Sequence, residues 1–102
     1  MRFGIVVTDI NQAGAAAGLM KEALKREWFV RCFLTDDGVN MLKDEAFVEV
    51  ARNERAHLSV CEHSIERYCH DLDLEALKDV VVVGGQYQDA ELVRNSDRVL
   101  VF

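Results

Sequence analysis

"RFGIVVT" (Arg2 to Thr8) and the "INQAGAAAGLMKEALKRE" after it (Ile10 to Glu27) decide the fold. The first is a short β-branched apolar run. The second places Ala13, Ala16, Ala17, Met20 and Leu24 at helical spacing with charges opposite, so a strand feeds a helix. "WFVRCFLT" (Trp28 to Thr35) is a second strand, stopped by "DDG" at Asp36 to Gly38, and Val39, Leu42, Ala46 and Val50 mark another amphipathic helix. The unit has repeated. Ala56 to Val60 is a third, weaker strand, because His57 and Ser59 interrupt its apolar character and suit a sheet edge more than a centre. From Glu62 to Leu77 the pattern is helical but broken near "HDLD", where Asp73 is placed to cap a final turn. "VVVVGG" (Val80 to Gly85) is the clearest buried strand, and "DAELVRN" and "RVLVF" add a short helix and a last strand. Alternating strands and helices with near-continuous apolar strands predict an α/β domain of three layers, a parallel sheet covered on both faces with right-handed crossovers.

At 102 residues the chain is one domain, 1–102, able to bury roughly two-thirds of the surface its unfolded form exposes. Proline is absent, and no linker, repeat or low-complexity stretch marks a boundary. Three cysteines, Cys32, Cys61 and Cys69, are an odd number, and no charged-then-apolar leader follows Met1. A disulfide framework is disfavoured, and a cytoplasmic location with reduced thiols is expected. No apolar run approaches the roughly 18 residues of a membrane span. Eighteen acids against twelve bases give a net charge of −6, which repels phosphate backbones unless the few Lys and Arg gather on one face. Direct nucleic-acid binding and membrane binding are therefore not expected.

In a parallel sheet, chemistry gathers beyond the carboxyl ends of the strands. That edge should carry Thr8 and Asp9, Asp36 and Asp37, Cys61 with His63, and Gly84 with Gly85. Cys61 stands where the third strand stops and a helix begins, in "LSVCEHSIERYC". A thiolate there is favoured by exposed helix-start amides, and only the thiolate is nucleophilic. Continued as a helix, however, Cys61 shares a stripe with Ile65, Tyr68, Cys69 and Leu72, and a packed, inert thiol satisfies the same pattern. His63 has the chemistry to polarise or protonate a group on Cys61, yet two positions along a helix it should face solvent. Cys61, His63, Cys69 and His70 are zinc-ligand types at spacings unlike those of structural sites, so no metal is expected. "CEHS" has Ser64 where a resolving cysteine would stand, which excludes a dithiol cycle within the motif. Cys32 and Cys69 are core residues. "TDDGV" invites comparison with the acidic pocket of receiver domains, but the paired acids follow the second strand here and Cys61 holds the acceptor's place. "DDG" is adequately a turn, with Gly38 free to adopt positive φ and an aspartate available as a cap. "VGGQ" is too short for a dinucleotide fingerprint.

With these residues in view, the chain resembles the DsrE/DsrF-like family of small sulfur-relay proteins, which includes the TusD-type carriers. The resemblance rests on "FGIVVT" with its alanine-rich helix, "RCFLTDDGV", "VVVVGG" and "SDRVLVF", in order over essentially the whole chain. It implies a parallel five-stranded, three-layer α/β domain and a persulfide carrier, in which the cysteine after the third strand accepts a sulfane sulfur and passes it to a partner protein. That role maps onto Cys61, with His63 and Ser64 expected to assist by hydrogen bonding. No organic cofactor is implied. A homo-oligomer, trimer or hexamer, is implied, together with sulfur donor and acceptor proteins. Relatives lacking the cysteine are structural partners, so a non-catalytic assembly protein with a buried Cys61 is the alternative. This chain departs from the family in being shorter than many carriers and in its "DINQAG" loop, which lacks aromatic residues.

Overall fold

The computed structural model describes all 102 residues. Five strands form one sheet: β1 (Arg2–Val7), β2 (Phe29–Leu34), β3 (Ala56–Cys61), β4 (Val81–Gly84) and β5 (Arg98–Val101). All pairings are parallel and the order is β4-β3-β2-β1-β5. The helices are α1 (Ala13–Lys25), α2 (Glu45–Ala51), α3 (Glu62–Tyr68) and α4 (Gln86–Asn95), with 3-10 segments at Ile10–Gln12, Asp36–Lys43 and Glu75–Leu77. The α/β class and the all-parallel five-stranded sheet agree with the sequence reading.

Strand alternation divides the core in two. Ile5, Cys32, Leu58 and Val81 are register partners across four strands, all buried on one face. That face packs against Ala16, Met20 and Ala23 of α1, Phe47 and Ala51 of α2, and Ile65 of α3. Met20, Phe47 and Ile65 each contribute roughly 1.5–3 kcal/mol on full burial, and the alanines less. The opposite face carries a much smaller core, Val6, Phe33 and Leu92, where α4 is the only α-helix. One face is thus sealed by three helices and the other only partly covered.

Three features depart from expectation. β3 lies inside the sheet, between β2 and β4, while β4 is an edge with Val82 and Val83 both over 40 % exposed. The chain climbs β1 to β4 in one direction and then returns to place β5 beside β1, so β4 has no outer neighbour. The second helix is divided: Asp44 accepts hydrogen bonds from the amides of Ala46 and Phe47 and starts α2 afresh. That cap rephases the helix, burying Phe47, Val48 and Ala51 and leaving Ala46 exposed. The Glu62–Leu77 stretch, by contrast, is broken as its pattern predicts: α3 stops at Tyr68 and a single turn follows at Glu75–Leu77, where the Ala76 amide donates to Asp73.

The turn after β2 is also built differently. Asp36, not Gly38, takes the positive φ, at 50°. Gly38 is required by close approach instead: a Cβ there would lie 2.9 Å from the carbonyl carbon of Val7 and 3.1 Å from its Cγ1. That carbonyl also accepts from the Thr35 amide at 2.9 Å, so it cannot retreat freely. Gly38→Ala should destabilise the domain by about 1–3 kcal/mol. Urea unfolding checks this, and an unchanged midpoint would show that the turn yields easily.

Candidate functional site

Parallel register builds the site before any side chain is considered. Val7 pairs with Leu34 and Leu34 with Val60, while Cys61 pairs with Gly84. The next positions, Thr8, Thr35 and Cys61, therefore form a row at the carboxyl ends of β1, β2 and β3. A pocket of about 260 Å³ opens there on the α4 side, lined by these three residues with Val6 and Phe33 below and Gly85, Gln86 and Asp89 from the start of α4.

Cys61 ends β3 and stands at the N-cap of α3 in extended conformation, φ −76° and ψ 122°. It is half-buried, whereas Cys32 and Cys69 are sealed at 1 % and 0 % exposure. The three thiols diverge electrostatically. Burial pushes Cys32 up to about 12. Burial likewise raises Cys69, with Lys43 opposing and Asp71 reinforcing the rise, and its Sγ donates to Asn40 Oδ1 at 3.1 Å. At Cys61 partial burial also works against the anion, but it is outweighed by the Ser64 hydroxyl, the amides of Ser64 and His63 and the Thr35 hydroxyl, so the thiol falls below its ordinary range. No cap hydrogen bond closes onto the sulfur. The stabilisation is that of nearby oriented N–H and O–H dipoles, available to a charge that develops there.

Ser64 explains why those donors stay in place. It is buried, and its Oγ accepts from the Asp36 amide at 2.8 Å while lying 3.3 Å from Thr35 Oγ1. The Asp36 amide thereby anchors the Ser64 oxygen between the β2 turn and the start of α3. The two hydroxyls and the sulfur thus form one small polar cluster joining two strand ends.

Of the three residues singled out from sequence, Cys61 and Ser64 are brought together. His63 contributes its main-chain amide to the sulfur, while its side chain is exposed, as its position along the helix predicted. Asp36 and Asp37 do not join the pocket: Asp36 is exposed, and Asp37 Oδ1 accepts from the Ile10 amide at 2.9 Å, fixing the turn after β1. Nowhere do three His, Cys, Asp or Glu side chains converge as metal ligands. Thr35, Gln86 and Asp89 are site residues that the motif reading passed over. Thr35 was findable, since it ends its strand in the same register as Cys61. Asp89 is the pocket's one charged side chain, and only the return of α4 over the sheet brings it there.

No protein-family model and no curated protein sequence matches this chain. Native iodoacetamide treatment followed by peptide mapping should modify Cys61 and spare Cys32 and Cys69 until denaturant is added. Equal protection of all three thiols would make Cys61 a packing residue.

Proposed function

We propose that the chain is a small sulfur-carrier or sulfurtransferase subunit, working in the cytoplasm, that holds a sulfane sulfur on Cys61 and passes it to a partner protein. The observation that carries this reading is the contrast among the thiols: Cys61 alone is both accessible and shifted toward the thiolate, while Cys32 and Cys69 are buried and shifted the other way. The resemblance of the sequence to DsrE/DsrF-like carriers points to the same residue.

In the loading step the Cys61 thiolate attacks the outer sulfur of a donor persulfide, R–S–SH. The Cys61 Sγ–S bond forms, the donor S–S bond breaks, and the donor leaves as the thiolate R–S⁻. Cys61–S–SH results, with no external oxidant or reductant. Delivery repeats the exchange, with an acceptor thiolate attacking the outer sulfur and Cys61 leaving as the thiolate. The donors that lower the Cys61 pKa favour it both as nucleophile and as leaving group. Ser64 and Thr35 supply hydroxyl dipoles, and His63 its amide. Asp89 is the only charged side chain in the pocket besides the Cys61 thiolate.

Assembly as a homo-oligomer, trimer or hexamer, accompanies this reading. It is supported by apolar side chains left exposed at both sheet edges, Val82 and Val83 on β4 and Leu100 and Val101 on β5.

Exposure to polysulfide, or to thiosulfate with a donor enzyme, followed by intact-mass spectrometry, should add about 32 mass units, mapped to Cys61. Cys61→Ser should abolish the adduct while leaving the circular dichroism spectrum unchanged. Equal loading of that variant would move the role to Cys32 or Cys69, and no loading of the wild type would favour a non-catalytic assembly protein.

A further inference from the structure

A second pocket, of about 310 Å³, opens at the opposite, amino-terminal ends of the strands. The register explains its floor. Gly4, Arg31 and His57 are partners across β1, β2 and β3, and all point to the sparsely covered α4 face. Central strands of parallel sheets are normally apolar on both faces, so an arginine and a histidine side by side there require a reason. Packing does not supply one. Arg31 is half-buried and pairs with no carboxylate, and His57 Nε2 and Ser96 Oγ are both buried without any hydrogen-bond partner in the protein. Native structures rarely leave such atoms unsatisfied. Gly4 makes the space: a Cβ on it would lie 2.7 Å from Ser96 Oγ, so only glycine lets the end of α4 settle at this height above the sheet.

The charge around the cavity is concentrated and positive. Three of the chain's twelve cationic side chains, Arg2, Arg31 and Arg55, line it, although the protein as a whole carries −6. One carboxylate, Glu54, stands at the rim 3.8 Å from Arg55. Asp97, next to Ser96, accepts from the Arg2 amide at 2.8 Å, and the carboxyl end of α4 adds about half a negative charge, which together leave a positive excess of roughly 0.5 charge. Phe29, 58 % exposed with the Arg55 guanidinium 5.9 Å from its ring centre, supplies an apolar wall at the mouth.

We infer that this cavity is a binding site for a small phosphate-bearing anion, with Arg31, Arg55 and Arg2 as guanidinium donors to its oxygens and His57 and Ser96 completing the hydrogen bonds. Guanidinium forks match phosphate oxygens in pairs, and the volume suits a diphosphate or a small phosphomonoester rather than a long polymer. The site is separate from the thiol: His57 and Cys61 lie four residues apart on β3, or about 13 Å. The inference therefore stands whether or not Cys61 carries sulfur.

Inorganic pyrophosphate is the direct probe, titrated into the whole protein at physiological ionic strength and followed by calorimetry and amide NMR. One saturable site is expected, with shifts centred on Gly4, Arg31, His57 and Ser96. Arg31→Gln and Arg55→Gln should each weaken binding by about tenfold or more, and Cys61→Ser should leave it unchanged. Arg55 lies at the rim, so its variant tests the site even where Arg31→Gln disturbs folding. The proposal is overturned by an absence of saturable binding, by shifts centred on Cys61, or by affinity indifferent to both arginine variants. Tighter binding of a single-stranded oligonucleotide than of pyrophosphate would overturn the assignment to a small molecule.

Discussion

The hydrogen bond from the Asp36 amide to Ser64 Oγ is the contact on which the site depends. It spans 28 residues of sequence and fastens the turn after β2 to the first turn of α3. Asp36 sits in the left-handed region, where a non-glycine residue persists only when its surroundings hold it. Ser64 supplies part of that hold. In return, the turn fixes the Ser64 hydroxyl beside Cys61. One bond thus helps hold the Asp36 conformation and places a hydroxyl beside the thiol.

The unequal faces of the sheet explain where the rest of the chemistry lies. With α1, α2 and α3 packed on one side, that face is filled by aliphatic side chains and offers little room. On the other side α4 covers the middle of the sheet and leaves both of its ends open. At the carboxyl end the gap exposes Cys61 between Thr35 and the start of α4. At the amino end it exposes Arg31 and His57. A single helix that is too small to seal its face creates two polar cavities, opposite in character: one has a carboxylate as its only charge, the other is rich in guanidinium groups.

Much of this was legible in the sequence, because helix and strand periods are direct records of burial. Ala16, Met20 and Leu24 face the core as their spacing predicts, and Cys61 falls at the predicted strand end. Sheet order was less accessible. Val80 to Val83 suggested a centre because four valines look buried, yet an edge strand can be equally apolar when its outer side chains remain exposed. His57 and Ser59 suggested an edge because polar side chains are unusual in a sheet interior. In fact Ser59 is satisfied within the sheet, donating to the Cys32 carbonyl at 3.5 Å, and His57 borders a cavity. The partnership of Ser64 with Asp36 was not legible, since no local pattern links residues so far apart. Nor was the need for Gly38, which arises from a neighbouring strand's carbonyl and not from its own backbone angle.

Fixed neighbours, Ser64 foremost, make Cys61 a thiolate more readily than an ordinary cysteine. The pH dependence of its alkylation rate, in the wild type and in Ser64→Ala, tests this most directly. A lowered pKa means that reactivity is present above that value and is lost as the pH falls through it. The wild type should therefore titrate below the ordinary cysteine range, and the variant should move upward toward it. Coincident profiles for the two proteins, both at the ordinary cysteine value, would contradict the account.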